Sequence, residues 1–397
     1  MSDRRPPIAA GAGPAEVPAR VVDALHAAAR AAESVRPARR DADSVAVTVG
    51  DEALNGGASP IATSSARAAA HDAMSPLVTA DDAEASSSAR SVAPRESVVA
   101  ALVAAGADVR RDEPLARHTS FRIGGPADLF VAAATVSELQ AALRAARAHG
   151  YPVFFLGGGS NLLVSDRGVR GLVVKLGKPF DFVEWQLDAD GGALRVGAAV
   201  PFKRLVAQTV AAGLAGLEFG EGIPGTIGGG LLMNAGAFGG EIGGVVTVLE
   251  AVDESGERID LPRERLGFAY RRLTLPTRAL ITAVRLRLER GDAVTLAASV
   301  ADAKARRDRH QPKGHPNAGS IFKNPPGTFA GRLLEEVGLK GARLGDAMFS
   351  DRHANFIVNL GRARAADVKG LIDLATRTVQ RRRGVELEPE VRLVGDW

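Results

Sequence analysis

Apolar and polar positions follow helical and strand periods from about residue 95 to the end of the chain. Leu139, Leu143 and Ala146 recur at the spacing that puts apolar side chains on one helical face. Ser137 stands just before them and Gln140 follows it by three residues, which is typical of a capping box. The pattern therefore predicts an amphipathic helix with Ser137 as its N-cap.

The rest of this region alternates between predicted strands and helices. Val284, Leu286 and Leu288 lie on one face of a half-buried strand at 280–288, with Arg285 and Arg287 on the other face. The remaining elements are helices at 201–212, 295–309, 330–337 and 366–382, strands at 151–156, 172–176, 355–359 and near 391, and a hairpin at 248–261. This order predicts the α+β class, with two domains that meet near residue 290.

Residues 1–95 have a different composition. They are rich in Ala, Ser, Asp, Arg and Pro and contain no Phe, Tyr or Trp. Such a segment cannot bury enough apolar surface to offset the entropy of ordering the chain, so we expect a disordered extension without a catalytic role. A short amphipathic stretch at 17–34 predicts a transient helix. The start lacks the apolar core of a secretory signal, and no apolar run reaches the roughly 18 residues of a membrane span.

Composition narrows the chemistry that the folded part can perform. The chain has no cysteine, so disulfides, thiolate nucleophiles and cysteine-ligated metals are excluded. Its 7 histidines show no metal-ligand spacing, so we expect no metal site. Because Lys and Arg (50) nearly balance Asp and Glu (46), and only 5% of residues are aromatic, nothing indicates a nucleic-acid partner. Redox chemistry would therefore need a bound organic cofactor.

A first glycine-rich segment, LGGGSNLL at 156–163, directly follows a predicted strand. Gly157, Gly158 and Gly159 permit a tight turn that exposes successive N–H groups, an arrangement suited to a diphosphate. Ser160 and Asn161 add side-chain donors. The spacing is neither GxGxxG nor a P-loop, so this segment alone leaves a ligand-free turn equally open.

A second segment, FGEGIPGTIGGGLLMNAGAFGGEI at 219–242, is as dense in glycine and three times as long, with 9 Gly among its 24 residues. Each glycine in regular structure costs roughly 0.5–1 kcal/mol, and close passage of the backbone along a large ligand would explain that cost. Ile223, Ile227 and Leu231 are interleaved with the glycines, whereas a solvated linker rarely carries such residues. We therefore favour a ligand-binding segment over a flexible linker.

These two segments resemble the flavin-binding loops of the UDP-N-acetylenolpyruvoylglucosamine reductases. Other blocks that resemble the family are TSFRIGGPAD at 119–128, YR at 270–271, NAGSIFKNP at 317–325, HANFIVN at 353–359 and LEPEV at 387–391. Together the blocks cover about residues 97–397 in the right order. The family belongs to the flavoenzymes that resemble vanillyl-alcohol oxidase. The resemblance thus implies two FAD-binding subdomains at 96–290 and a C-terminal α+β substrate-binding domain at 291–397.

The resemblance also implies the roles of individual residues. Arg271 binds the enolpyruvyl carboxylate, Ser320 protonates C2 of the substrate, and Glu390 is the catalytic acid paired with Arg271. The implied cofactor-binding residues are Gly157, Gly158, Gly159, Ser160, Asn161, Gly222, Ile223, Pro224, Gly225, Gly228, Asn234 and Gly236. The implied substrate-binding residues are Tyr270, Lys323 and Asn324.

Residue chemistry alone supports these roles unequally. A guanidinium suits a carboxylate because it stays ionised and can form two parallel hydrogen bonds with it. A serine in a loop bounded by Pro and Gly is more often a turn former, so the role of Ser320 depends on the resemblance. An acidic pair near a chain end is usually solvated, and Glu390 depends on the resemblance in the same way.

The implied reaction has two halves. NADPH reduces a non-covalently bound FAD, and the flavin then reduces UDP-N-acetylglucosamine enolpyruvate to UDP-N-acetylmuramate for peptidoglycan synthesis. The chain's two tyrosines, Tyr151 and Tyr270, both lie outside the stretch between Arg271 and Ser320. The chain therefore resembles the short subclass, which lacks an inserted tyrosine-bearing loop there. We expect a cytoplasmic monomer that acts on small molecules.

Two other hypotheses remain compatible with the sequence. A flavin oxidase of the same wider fold would act on an alcohol or sugar, often with flavin attached through a His or Cys. The chain has no Cys, and His118 and His149 lie outside the glycine segments. A binding protein for nucleotide sugars would be colourless and would not consume NADPH.

Overall fold

The computed structural model describes residues 93–397. The predictions for residues 1–92 lie outside the described residues. The helices are α1 (Ala93–Ala104), α2 (Val136–Ala148), α3 (Phe202–Ala211), α4 (Ile227–Leu232), α5 (Ala293–His310), α6 (Ala330–Glu336) and α7 (Ala365–Arg383). In the part of the chain that is described, none of the helices is long and apolar enough to cross a membrane.

The strands are mostly short and fall into three main sheets and three small pairs. They are β1 (Val109–Pro114), β2 (Pro126–Ala133), β3 (Val153–Leu156), β4 (Leu162–Val164), β5 (Val169–Leu176), β6 (Val183–Leu187), β7 (Gly191–Gly197), β8 (Leu214–Ala215), β9 (Gly236–Ala237), β10 (Gly240–Glu241), β11 (Val246–Asp253), β12 (Arg258–Pro262), β13 (Gly267–Ala269), β14 (Arg272–Thr274), β15 (Ala279–Arg290), β16 (Asn317–Gly319), β17 (Arg343–Leu344), β18 (Ala347–Phe349), β19 (Phe356–Asn359) and β20 (Arg392–Val394). The mixture confirms the predicted α+β class.

The first sheet has the order β1-β2-β5-β3, with β1 antiparallel to β2 and the other pairs parallel. Helices α1 and α2 pack on one of its faces, where Leu102 and Leu139 contact a core that includes Leu129 and Val131. Helix α1 begins at Ala93, so the predicted disordered extension runs three residues too far. The burial of Val98 and Leu102 explains why this helix forms.

The predicted cap of α2 is wrong by two residues. The N-cap is Thr135, whose hydroxyl accepts a hydrogen bond of 3.0 Å from the N–H of Glu138. The predicted partner, Gln140, instead donates across to the carbonyl of Gly256, in the turn of the β11–β12 hairpin, at 2.6 Å. The apolar face that predicted the helix is buried as expected, but the polar residues beside it serve a contact with the second sheet.

The second sheet has the order β12-β11-β15-β7-β6, and β8 pairs with one end of β15. All its pairs are antiparallel. Val284, Leu286 and Leu288 of β15 face a core that they share with α3 and α4, while Arg285 and Arg287 are exposed, as predicted. Helix α4 lies inside the second glycine-rich segment, where the sequence pattern did not predict a helix.

The C-terminal region forms a sheet of order β16-β19-β18-β17, covered by α6 and α7. Its core also includes Phe121, Ile123 and Leu163, which come from the first part of the chain. The last strand, β20, pairs in parallel with β4, and the Asn359 amide donates to the carbonyl of Phe121 at 3.0 Å. The C-terminal region therefore shares one apolar core with these earlier segments of the chain.

The domain boundary proposed near residue 290 stays a prediction. Helix α5 follows it immediately. Val300 of this helix packs against the core that β15 shares with α3, and Leu296 lies beside Gly291, next to the end of β15. By its packing, α5 accompanies the second sheet.

Asp166, in the turn between β4 and β5, contacts the start of α7. Its carboxylate accepts hydrogen bonds from the N–H groups of Ala365 (2.8 Å) and Ala366 (3.0 Å). These are first-turn groups without intrahelical partners, and a carboxylate is the preferred group to satisfy them. Asp166 thus caps a helix that lies about 200 residues later in the chain.

We predict that Asp166→Ala lowers the free energy of unfolding by about 0.5–2 kcal/mol, the range found when a side-chain cap is removed. Equilibrium denaturation of the purified protein measures this change. Asp351→Ala, which removes an exposed carboxylate, is the matched control. Equal stability of the two variants would contradict the capping role.

Candidate active site

One large cleft, of about 750 Å³, brings together most of the residues singled out from the sequence. Its volume is within the range of small-molecule sites. Predicted residues that line it are Gly157, Gly158, Gly159, Ser160, Asn161, Ile223, Pro224, Gly225, Gly236, Arg271, Ser320, Asn324 and Glu390. Five other predicted site residues in the described part of the chain do not line the cleft: Gly222, Gly228, Asn234, Tyr270 and Lys323.

The first glycine loop and the second glycine segment touch at the floor of the cleft. A Cβ at Gly158 would lie 2.7 Å from the Cα of Gly225, so any side chain there would push the two segments apart. Gly159 has φ +65°, and a Cβ would meet the carbonyl oxygen of His118 at 1.9 Å. These two glycines are therefore required by the close approach of neighbouring backbone.

Three predicted cofactor contacts in the second segment have other surroundings. A Cβ at Gly228 would meet Ala198, and one at Gly222 would meet the side chain of Arg307. Asn234 is buried, and its amide bridges two loops: the Gly243 N–H donates to its oxygen, and its nitrogen donates to the Ala269 carbonyl, both at 3.1 Å. The Asn234 side chain thus holds protein backbone, and its role in binding the cofactor stays a prediction.

Arg271 lies in the tight turn between β13 and β14, with φ +56°. Asn234 holds this hairpin through Ala269, and the Arg271 guanidinium donates to the Gly236 carbonyl at 3.0 Å. Its Nε lies 2.8 Å from Oε1 of Glu390, so the two side chains form an ion pair. A guanidinium has five N–H donors, and those not used in these two contacts remain for a ligand.

Tyr270 and Lys323 lie beside the catalytic candidates but outside the lining of the cleft. The Tyr270 side chain is exposed, and the Arg271 guanidinium lies 5.1 Å from the centre of its ring. Lys323 forms an ion pair with Glu388. The roles of both residues in binding the substrate stay predictions.

Glu390 is held through its backbone on two sides. Its N–H donates to the Ile321 carbonyl at 2.7 Å, and its carbonyl accepts from the Asn161 amide at 2.8 Å. Only 12% of its side chain is exposed. Burial raises the pKa of this carboxyl, because desolvation disfavours the charged form, and the cations of Arg271 and then Lys323 oppose the rise.

Ser320 belongs to a loop that a buried asparagine holds in place. The Asn355 side chain exchanges two hydrogen bonds of 2.8 Å with the backbone of Phe322, and its carbonyl accepts from the Ile321 N–H at 2.9 Å. Ile321 also pairs with Glu390, as described above. The loop therefore brings Ser320 next to the segment that carries Glu390. The sequence analysis did not single out Asn355, which holds this loop.

Asn324 closes the same loop. Its side-chain oxygen accepts a hydrogen bond of 3.1 Å from the N–H of Ala330, at the start of α6, and it lines the cleft. Asn161 likewise combines a place in the lining with a contact inside the protein, since its amide binds Glu390. The two asparagines thus shape the cleft as well as face it.

Chemically, the site offers a guanidinium, a carboxyl group whose protonated form is favoured by burial, and a serine hydroxyl. Such a set can bind a carboxylate, stabilise negative charge that develops next to it, and deliver a proton. Among the described residues, no group of three or more His, Asp or Glu side chains is placed to hold a metal ion.

Comparison with known proteins gives a consistent result. Residues 127–262 match the model of an FAD binding domain, and residues 311–394 match that of the UDP-N-acetylenolpyruvoylglucosamine reductase C-terminal domain. UDP-N-acetylenolpyruvoylglucosamine reductase 2 of Symbiobacterium thermophilum is 49% identical over 288 residues, which cover 72% of this chain and 92% of that protein. The corresponding reductase of Anaeromyxobacter sp. (strain Fw109-5) is 48% identical over 290 residues, covering 73% and 90%.

A solved structure supports the same grouping. The crystal structure of UDP-N-acetylenolpyruvylglucosamine reductase from Thermus caldophilus is 39% identical, with a TM-score of 0.61. The match covers 72% of this chain and 98% of that one. The matched part corresponds in extent to the region after residue 95 that the sequence pattern predicted to fold.

The raised pKa of Glu390 predicts a pH-dependent contribution to stability. Since its folded pKa lies above the ordinary value of 4.5, folding favours the protonated carboxyl. That contribution is complete below about pH 4.5 and is lost as the pH rises through the folded pKa. The free energy of unfolding of the wild type, minus that of Glu390→Gln, should therefore fall as the pH increases.

Denaturation at a series of pH values measures this difference. Glu386→Gln, which removes an exposed carboxyl from the same segment, is the matched control. A difference between wild type and Glu390→Gln that rises with pH would contradict the assignment of burial as the dominant influence.

Proposed function

Because the chain belongs to the family of UDP-N-acetylenolpyruvoylglucosamine reductases, we propose that it reduces UDP-N-acetylglucosamine enolpyruvate to UDP-N-acetylmuramate with NADPH. It is an FAD-dependent oxidoreductase of peptidoglycan precursor synthesis. The observation that carries the proposal is a single cleft lined by both glycine segments and by Arg271, Ser320 and Glu390.

The floor of the cleft fits a flat dinucleotide such as FAD. A Cβ at Gly157 would find its nearest neighbour at 3.5 Å, and one at Gly229 at 3.7 Å, both from the Thr226 hydroxyl. These glycines are not forced by protein packing, so the missing side chains leave room in the cleft. Residues 157–161 and 223–225, which line this part of the cleft, would hold FAD, and the flavin would supply the hydride chemistry between NADPH and C3 of the enolpyruvyl group.

Arg271 binds the enolpyruvyl carboxylate. Its guanidinium carries five N–H donors and lines the cleft, so donors not used by Gly236 and Glu390 remain for a substrate carboxylate. When C3 gains a hydride, negative charge develops at C2 and spreads into the carboxylate. The fixed cation of Arg271, held by the Gly236 carbonyl, stabilises that charge without reorganising.

Glu390 and Ser320 act in the protonation of the substrate. Burial favours the protonated form of Glu390, which can then donate a hydrogen bond to the developing enolate. Ser320 delivers the proton to C2 from the adjoining loop. Because the Asn355 and Glu390 contacts hold this loop on both sides, the serine needs little further ordering to reach the reacting carbon.

The competing hypothesis of a covalent flavin oxidase finds no support at His118. The Nε2 of this histidine lies 2.9 Å from the Glu113 carboxylate, and its ring stacks on Phe130 at 4.6 Å. It touches the first glycine loop only through its backbone carbonyl, which approaches Gly159.

NADPH and nucleotide sugars are small soluble substrates, so we propose that the protein works in the cytoplasm. We further propose that it is a monomer. As a step of cell-wall synthesis, the reaction would contribute to cell shape, the cell cycle and cell division.

The visible spectrum of the purified protein tests the proposed reaction. The protein should be yellow, NADPH should bleach it under anaerobic conditions, and UDP-N-acetylglucosamine enolpyruvate should restore the colour. A colourless protein without NADPH turnover, or one that oxygen reoxidises rapidly and the enolpyruvyl substrate does not, would contradict the proposal.

Ser320→Ala should separate the two halves of the reaction. We expect bleaching by NADPH at the wild-type rate and reoxidation by the enolpyruvyl substrate slowed by about 10²- to 10⁴-fold, because the proton donor is missing. Stopped-flow absorbance measures both rates. Ser137→Ala, at an exposed position on α2, is the matched control. Equal loss in both halves would refute the role of Ser320 as proton donor.

A further inference from the structure

Asn355 holds the loop that carries Ser320, and the backbone of Asn355 is held in turn by His353. Both residues lie in the turn between β18 and β19. The Nδ1 atom of His353 accepts a hydrogen bond of 3.1 Å from the N–H of Asn355. Only 1% of Asn355 is exposed, so water does not replace this acceptor. The histidine ring thus satisfies a buried backbone donor.

The same ring is also linked to the other side of Ser320, through Phe356. The rings of His353 and Phe356 meet edge to face, with their centres 5.2 Å apart. Phe356 pairs with Gly319 between β19 and β16, and a Cβ at Gly319 would meet the Phe356 ring at 2.4 Å. Because Asn355 binds the loop after the serine, His353 is linked to the residues on both sides of Ser320.

The neighbours of the His353 ring restrict its movement. Gly331 of α6 lies against it, and a Cβ there would meet the ring atom Cε1 at 3.0 Å. The His353 N–H donates to the Ser350 hydroxyl at 3.4 Å, and the His353 carbonyl accepts from the Phe356 N–H at 3.0 Å. The ring therefore has little space to turn if Nδ1 gains a proton.

The bond from Asn355 requires a neutral ring. A neutral histidine that accepts at Nδ1 carries its proton on Nε2, whereas a protonated histidine is a donor at both nitrogens. Protonation of His353 would therefore set two donors against each other and leave the N–H of Asn355 buried without an acceptor, which is costly. The contact that holds the loop exists in only one protonation state.

The surroundings of His353 favour its neutral form. Burial lowers the pKa of His353, the Glu335 carboxylate opposes this, and His310 and Lys340 lower the pKa further. Glu335 pairs with Lys340 at 3.1 Å, which offsets part of its charge. Arg352, the preceding residue, donates to two backbone carbonyls of α5. Since the ordinary pKa is 6.5, the ring is neutral at neutral pH and gains a proton only in more acidic solution.

We infer that neutral His353 is a positioning residue for proton delivery by Ser320, because it fixes the serine loop through Asn355 and Phe356, and that protonation of His353 loosens this loop. The inference rests on the proposed function, since it assumes that Ser320 protonates the substrate. It predicts an effect mainly on the second half of the reaction, because reduction of the flavin by NADPH does not use that proton.

Two variants of the flavin-loaded full chain test the contact. His353→Ala removes the acceptor, whereas His353→Asn replaces it with an oxygen that can accept from the N–H two residues later and does not titrate. Stopped-flow absorbance gives the limiting rates of bleaching and reoxidation. His353→Ala should slow reoxidation by about 10- to 100-fold, with a much smaller effect on bleaching, and His353→Asn should recover most of the rate. His149→Ala, at an exposed position, is the matched control.

A pH series tests the titration. The limiting reoxidation rate of the wild type is divided by that of His353→Asn, so that groups common to both proteins, such as Glu390, cancel. The ratio should stay constant above about pH 6.5 and fall as the pH decreases through the folded pKa of His353, because protonation loosens only the wild-type loop. A ratio that stays constant down to about pH 5 would overturn the inference.

A direct contact with the substrate is the competing explanation, because His353 also lines the cleft. Such a contact would raise the half-saturating concentration of the enolpyruvyl substrate in His353→Ala at an unchanged limiting rate, and this result would overturn the inference. Equal slowing of both half-reactions would overturn it as well. Failure of the proposed function would appear separately, as a wild type that NADPH does not bleach or that the enolpyruvyl substrate does not reoxidise.

Discussion

The hydrogen bonding of the chain end to two earlier loops is the constraint on which the rest of the site depends. Glu390 donates to the Ile321 carbonyl, accepts from the Asn161 amide, and is followed by the parallel pairing of β20 with β4. These contacts join the first glycine loop, the serine loop and the C-terminus into one unit. These contacts fix how the three segments meet in the cleft, although more than 60 residues separate each from the next along the chain.

The same constraint decides the electrostatics of the cleft. It keeps the Glu390 carboxyl largely out of water, so that the cost of desolvation outweighs the attraction of Arg271 and raises the pKa. A buried ion pair of this kind contributes little to stability, since desolvation offsets most of the Coulomb attraction. Its value is chemical: a cation and a proton-holding acid are fixed in place before the substrate arrives. Asn234 and Asn355 serve this arrangement by holding the loops that carry Arg271 and Ser320.

Local patterns and the family resemblance predicted different parts of the molecule. Helix α2 and strand β15 were predicted because the helical and strand periods appear among residues that are close together in the sequence. Strand β1 was missed because Val109–Pro114 is a charged edge strand with no alternation. The catalytic candidates came from the resemblance alone. Asn355 carries no local signal, because its importance lies in hydrogen bonds to Phe322, which is 33 residues away along the chain.

The central claim is that both glycine segments hold one FAD and set it beside Arg271, Ser320 and Glu390. A crystal structure of the flavin-loaded protein with UDP-N-acetylglucosamine enolpyruvate tests it most directly. The account predicts flavin density in contact with residues 157–161 and 223–225, and the enolpyruvyl carboxylate on Arg271. Flavin bound elsewhere, with the two glycine segments open to solvent, would contradict it.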